Sequence, residues 1–355
     1  AVGHLNQFFF YIKFINIIIL MNSHLYFLKK IYKSALFNKL SKLNNIRVGT
    51  DCSGIEAPII ALKYLNLDFI HEFSCDNDSF VKKTILYNFS PNKYYDDILT
   101  RNNNSLPDID IYICGFPCQS FSTGGKREGF YKNNNEGIIF FKCLEVIKLK
   151  QPMCFILENV KGLLSHEKGK TFEIILNLLN KLKNYNIYYK VLRTSDYNIP
   201  QRRDRLYIIG IHKNFQQKQF KFPEPENNLK LDDILVSKKR NTKRILSDSK
   251  LEIVNKKIAH YNLKKNESWA INLNASYPYA TTVKDLSPCL VTTCNKVYLT
   301  KYNRFLTIKE CLRLQGFPDD FELISNENKS YKQIGNSMSV NILCLLFLEI
   351  FRTIL

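Results

Sequence analysis

The stretch Ile109-Asp110-Ile111-Tyr112-Ile113-Cys114-Gly115-Phe116-Pro117-Cys118-Gln119-Ser120-Phe121-Ser122 reads as an apolar strand that stops abruptly and hands one cysteine to a loop. Gly115 permits close approach of backbone, and Pro117 fixes the φ angle beside the Cys118 thiol. Gly124-Gly125, a few residues on, supply hinges for a loop that could close. Free cysteines are mostly packed in cores as small hydrophobes. Cys118 is presented instead.

Working outward, strands alternate with helices. Ile46 to Thr50 reads as a first strand, followed by the turn Asp51-Cys52-Ser53-Gly54-Ile55-Glu56-Ala57 and a helix from Pro58 to Leu65. Strand and helix pairs follow at Phe69 to Cys75 with Ser79 to Tyr87, Ile109 to Cys114 with Gly137 to Lys148, and Met153 to Leu157 with Lys170 to Leu182. Further strands are expected at Ile187 to Arg193 and Leu206 to His212. This rhythm predicts an α/β fold with a parallel sheet covered on both faces. It breaks after His212, where residues 213–285 are polar, basic and poorly periodic. A last apolar helix, Asn341 to Thr353, is expected to fold back onto the sheet.

Four more blocks follow the cysteine turn in order. They are Glu158-Asn159-Val160, Gln201-Arg202-Arg203-Asp204-Arg205, the run from Arg304 to Pro318 containing Leu314-Gln315-Gly316-Phe317, and Tyr331-Lys332-Gln333-Ile334-Gly335-Asn336-Ser337. Together the blocks resemble the cytosine-C5 methyltransferase family. The resemblance implies a Rossmann-like S-adenosylmethionine-dependent methyltransferase sheet with a small target recognition insertion. The expected division is an N-terminal extension at 1–45, a catalytic and cofactor-binding part at 46–212, the insertion at 213–285, and a return to the catalytic part at 286–355.

The chemistry expected of such a chain follows from cytosine itself. C5 is a poor nucleophile, so a thiolate adding to C6 is needed to make C5 electron-rich. By resemblance Cys118 is that thiol. Glu158, at a strand end, would donate to N3 as electrons move there, aided by a raised pKa. Arg203 and Arg205 would hold O2 and the phosphate side, since a planar guanidinium suits paired contacts. Gln119 would bond the nucleotide backbone or fill the gap left by the base, which must be flipped out of a duplex to be reached. Lys126 and Arg127 in the loop from Ser122 to Phe130 could neutralise phosphates.

For the methyl donor, ligands in open α/β sheets bind beyond the carboxyl ends of the strands. Ser53, Gly54 and Ile55 occupy the first turn, and Asp76 ends the second strand, where it can accept from ribose hydroxyls. The resemblance adds Asp97 and Ile98 at the adenine, with Gly115, Pro117, Ile139 and Asn336 around the rest. The chain departs from the family in lacking an aromatic residue and a Gly pair in the first turn, and in carrying Asn77 where some members have a stacking Trp.

Composition agrees with a nucleic-acid enzyme. The 51 Lys+Arg against 32 Asp+Glu give a formal net charge of +19, which suits a polyanionic partner. The expected partner is double-stranded DNA, for a monomer with no metal and no membrane. The nearest alternative is a tRNA cytosine-C5 methyltransferase of the same family, and another is a catalytically silent binder. The turn reads Phe-Pro-Cys-Gln-Ser where the RNA branch has Pro-Pro-Cys-Gln-Pro, which favours DNA. The ten cysteines include no Cys-x-x-Cys pair, arguing against disulfides and zinc and for an intracellular setting. The apolar run at 8–20 contains Lys13 and Asn16 and is short for a bilayer span. Since Met21 is the first methionine, residues 1–20 are a candidate upstream extension.

Overall fold

The computed structural model describes residues 25, 28, 36–40, 43–117, 136–238 and 246–355. The run at 8–20, most of the segment from Tyr26 to Leu43, Cys118, Gln119, the loop from Ser122 to Phe130 and most of the basic run from Lys238 to Arg244 lie outside the described residues.

The central sheet consists of β1 (Ile46–Asp51), β2 (Phe69–Cys75), β3 (Lys93–Tyr95), β4 (Ile111–Cys114), β5 (Cys154–Val160), β6 (Tyr185–Arg193) and, after the two-residue β7 (Gln201–Arg202), β8 (Asp204–His212). Their spatial order is β3-β2-β1-β4-β5-β8-β6. The first five are parallel, as the rhythm predicts. β8 differs, pairing antiparallel with both β5 and β6. Parallel neighbours need a crossover of about a dozen residues or more, usually helical, and the segment 194–203 offers too little chain for one.

Consecutive residues of β4 point to opposite faces, and both faces are covered. Ile111 and Ile113 join a core with residues of α1 (Ala57–Tyr64) and α2 (Ser79–Asn88), whereas Tyr112 and Cys114 join one with α3 (Glu136–Lys150) and α4 (Lys170–Asn180). A continuously apolar strand such as Ile-Tyr-Ile-Cys can only be central.

A small second sheet, β10-β9-β12-β13, has its own core of Val254, Ile271, Leu273, Ala280 and Tyr298. It is built from α5 (Asp248–Tyr261), β9 (Trp269–Asn272), β10 (Thr282–Lys284), β12 (Val297–Leu299) and β13 (Arg304–Phe305). Strands therefore come from both sides of residue 285. The start of the expected insertion stays with the large sheet: the backbone N–H groups of Gln217 and Lys218 donate to the Thr353 carbonyl at 3.0 and 3.1 Å, and Phe220 is in the main core. Between the two sheets, β11 (Ser287–Pro288) pairs in parallel with β7.

The chain closes with α6 (Ile308–Arg313), α7 (Glu327–Asn336) and α8 (Val340–Ile354). Thr307 and Glu310 form a reciprocal capping box at the start of α6. Glu310 also takes the buried Arg304 guanidinium at 2.6 and 2.8 Å, so this block is largely structural. α8 is apolar almost all round because it is buried almost all round, with Cys344 donating to the Ala61 carbonyl of α1 at 3.6 Å.

Candidate active site

Strand order reverses between β1 and β4, and in open α/β sheets the ligand crevice is expected at such a point, outside the carboxyl ends of the strands. On one side lies Cys52-Ser53-Gly54, on the other Gly115-Phe116-Pro117. Asn159, in the Glu-Asn-Val block at the end of β5, donates from Nδ2 to the Phe116 carbonyl at 3.2 Å, tying β5 to the residues just before Cys118.

Glu158 is buried beside this turn. A Cβ on Gly115 would lie 3.7 Å from its Oε2, an ordinary contact, and 2.7 Å from Cε of Met338, the mobile end of that side chain, which places Gly115 directly against both. Arg205 of β8 places Nε 3.1 Å from Glu158 Oε1. Burial pushes the Glu158 pKa up, partly offset by Arg205 and Arg203. Burial thus shifts this carboxyl in the direction that favours its protonated, proton-donating form.

Arg203 sits differently from Arg205. Its guanidinium is buried, with Nη1 donating to the Leu290 carbonyl at 2.7 Å and the Gly335 carbonyl at 3.3 Å, and Nη2 to the Ser337 carbonyl at 2.7 Å. It thus clamps the stretch after β11 to the end of α7. Gln201 adds to the clamp, donating to the Leu314 carbonyl at 2.6 Å and accepting from the Leu290 N–H at 2.9 Å. Between the two arginines stands Cys289, whose Sγ is 3.8 Å from Arg203 Nη1 and 3.9 Å from Arg205 Nη1.

Around the other half of the crevice, Ser53 Oγ bonds the Cys75 carbonyl at 3.2 Å, and the Gly54 N–H donates to Asp76 Oδ2 at 2.9 Å. Asp76 also accepts from the Asp78 N–H at 3.0 Å. Its burial pushes its pKa up to about 6. Asp97 turns the chain by accepting from the Leu99 N–H at 2.9 Å, with Ile98 buried behind it. Ile55 is fully inside the core, Ile139 is half-buried on α3, and Asn336 is exposed at the end of α7. In place of the family's Gly pair, Glu56 adopts a left-handed φ of 59°. That conformation is held by the side chain, which is wholly buried and accepts from Thr50 Oγ1 and Ser74 Oγ, each at 2.6 Å.

A family model for C-5 cytosine-specific DNA methylase matches residues 51–352. The chain belongs to the C-5 cytosine-specific DNA methylase family. Type II methyltransferase M.NgoBI of Neisseria gonorrhoeae is 37% identical over 280 residues, covering 76% of this methylase and 83% of its own chain. M.DsaV of Dactylococcopsis salina is 36% identical over 278 residues, covering 76% of each. Among solved structures, a DNMT2 variant of Spodoptera frugiperda shares the fold, with a TM-score of 0.64 at 17% identity over 86% of this chain and 100% of that one. Members of the family take their methyl group from S-adenosylmethionine.

The methylase thus brings Glu158 together with Arg205 and Gly115, and the Ser53-Gly54 turn together with Asp76. Sequence reasoning missed Cys289, Met338 and Gln201. Gln201 was visible as the first residue of its block, but nothing in spacing marks Cys289 or Met338. Burial pushes the Cys114 and Cys154 thiols up, away from thiolate chemistry.

Proposed function

We propose that this methylase transfers a methyl group to C5 of a flipped-out cytosine in double-stranded DNA, with Cys118 as nucleophile and Glu158 as the acid at N3. The observation that carries the reading is the buried Glu158 carboxyl with its raised pKa, 3.1 Å from Arg205 and beside the turn leading to Cys118. The Cys118 thiolate adds to C6, and Glu158 donates to N3 as charge develops there; once C5 carries the methyl group, loss of the C5 proton and expulsion of the thiolate restore the ring and free Cys118. Arg205 is the guanidinium that faces the base, at O2 and the Glu158 carboxylate, while Arg203 preserves the wall behind it. Gln119 supports the extruded nucleotide.

S-adenosylmethionine, when bound, supplies a methyl group on a sulfonium. The residues present suit it: Asp76 would offer carboxylate oxygens to ribose hydroxyls, the Asp97-Ile98 turn would flank the adenine, and the first turn has the open backbone at Gly54 that a close ligand needs. Gly115, Pro117, Ile139 and Asn336 would line the rest of the pocket.

The small sheet reads the target sequence. The loop from β9 to β10 carries Tyr279, 79% exposed, and is stiffened by Lys257 Nζ donating to the Pro278 carbonyl at 2.8 Å. A two-stranded ribbon of this kind fits the major groove. The relatives' Type II names and the charge of +19 suit a DNA-modifying protein.

The test is radiolabelled methyl transfer to duplex DNA and to tRNA in parallel, with Cys118→Ala as control. Incorporation into cytosine C5 of DNA, absent from the variant, is expected, with affinity falling steeply with salt in a log-log plot. Incorporation into tRNA alone, or full activity of Cys118→Ala, would overturn the reading.

A further inference from the structure

Beneath the crevice, Asp51 and Arg101 form an ion pair with side chains 0% and 2% exposed. Nη1 and Nη2 of Arg101 donate to the two Asp51 oxygens at 2.6 and 2.8 Å, and Nε donates to Asn103 Oδ1 at 3.0 Å. The guanidinium also lies 5.1 Å from the ring centroids of both Phe73 on β2 and Tyr95 on β3. The Tyr112 hydroxyl of β4 donates to Asp51 at 2.7 Å. One buried cluster therefore joins β1, β2, β3 and β4.

Burying such a pair is a poor way to gain stability, because desolvation consumes most of the Coulombic attraction. What the pair does supply is a fixed geometry between the segments it joins. Asp51 immediately precedes Cys52-Ser53-Gly54, with Cys52 at a left-handed φ of 47°. Arg101 ends the turn that Asp97 begins, its N–H donating to the Asp97 carbonyl at 3.2 Å. The two partners are thus the footings of the two segments that flank the methyl-donor crevice.

We propose that the Asp51–Arg101 pair is a positioning device for the methyl donor: it fixes the Asp97-Ile98 turn relative to the Ser53-Gly54 turn and so sets cofactor affinity without touching the DNA side. The inference rests on the reading of the crevice as the S-adenosylmethionine site. Arg101→Lys keeps the charge but loses the two-pronged bond to Asp51 and the guanidinium's contacts with the Phe73 and Tyr95 rings. Tyr112→Phe removes one hydrogen bond and nothing else. Asp51→Asn with Arg101→Gln removes both charges together, avoiding an orphaned ion.

The experiment measures equilibrium binding of S-adenosylhomocysteine, binding of duplex DNA, thermal unfolding, and the separate effects on KM for the donor and on kcat. For Arg101→Lys and the double variant, S-adenosylhomocysteine affinity should fall about ten-fold, the order seen when a supporting partner behind a ligand-holding group is lost. DNA affinity and kcat at saturating donor should stay within about two-fold of the parent. Tyr112→Phe should shift the same parameter in the same direction by a smaller amount. It keeps the proposal testable if the charge variants do not fold. A merely structural pair would lower the melting temperature yet leave donor affinity of the folded protein unchanged, and that result would overturn the proposal. So would equal losses in donor and DNA binding. Failure of the parent itself to bind S-adenosylhomocysteine would instead overturn the assignment of the crevice.

Discussion

Replacing Asp76 by Asn should make the free protein more stable and the liganded protein weaker, a pair of opposite effects that follows from one carboxyl. Burial raises its pKa from 3.8 to about 6, against the pull of the Gly54 and Asp78 N–H groups, with Asp78 and Glu56 pushing the same way as burial. A folded-state pKa above the unfolded one means that the stabilising contribution is complete below the unfolded value and is lost as pH rises through the folded value. A shift of about two units corresponds to roughly 3 kcal/mol of penalty on the folded protein above pH 7. Asparagine escapes that penalty but has one acceptor oxygen for two N–H donors, and the lost bond costs about 1 kcal/mol. The net expectation for Asp76→Asn is a gain on the order of 1–2 kcal/mol at pH 7.5 that disappears by about pH 4. Ligand binding runs the other way, because ribose hydroxyls need the carboxylate as acceptor. In the parent, S-adenosylhomocysteine affinity should drop about ten-fold, or ~1.4 kcal/mol, between pH 7 and pH 5, as the carboxyl becomes about nine-tenths protonated. Urea unfolding of the free protein across pH, with calorimetric titration of the ligand in the same buffers, measures both. The reasoning is refuted if Asp76→Asn is less stable than the parent at pH 7.5, or if it retains the parent's affinity and pH profile.

Other expectations concern the base side and the scaffold. With 5-fluorocytosine at the target, the covalent adduct should survive denaturing electrophoresis and map by peptide mass to Cys118; mapping to Cys289, the thiol between Arg203 and Arg205, would reassign the nucleophile. Glu158→Gln should lower kcat on the order of 100-fold while leaving DNA affinity intact, read by single-turnover methylation. Tyr279→Ala should weaken duplex binding about ten-fold in a filter or anisotropy assay, with donor binding and melting temperature unchanged; unchanged DNA affinity would remove this loop from the recognition surface. Gly335→Ala should destabilise by about 3 kcal/mol in chemical denaturation, because its Cβ would lie 2.2 Å from the Val291 carbonyl oxygen, against backbone that has no rotamer to yield.

What the sequence discloses of this molecule is set by how local the physics is. The turn before Cys118, the Glu-Asn-Val strand end and the acidic residue closing β2 are legible because each follows an apolar run whose length and abrupt stop are visible in a few residues. Core packing of α8 is legible for the same reason, since an apolar helix whose only charged residues, Glu349 and Arg352, lie near its end must be enclosed. The antiparallel return of β8 is a chain-length constraint on residues 194–203, readable in principle but masked by the regular alternation preceding it. Arg203 belongs to another category. Its block foretells a guanidinium near the base, yet its Nη donors go to Leu290, Gly335 and Ser337, positions remote from it in sequence. Such a role exists only once β11, β7 and the end of α7 have met. Asp51 and Arg101 are likewise silent as letters: an aspartate ending a strand and an arginine in an Asn-rich loop look like surface residues. Only the fold, by setting the Phe73 and Tyr95 rings beside the guanidinium and bringing Tyr112 to the carboxylate, turns them into a buried pair. The residues assigned to the chemistry stand in local patterns, whereas those that hold the site in place are defined by contacts, and a site read from motifs alone credits a holding residue such as Arg203 with contact to the base.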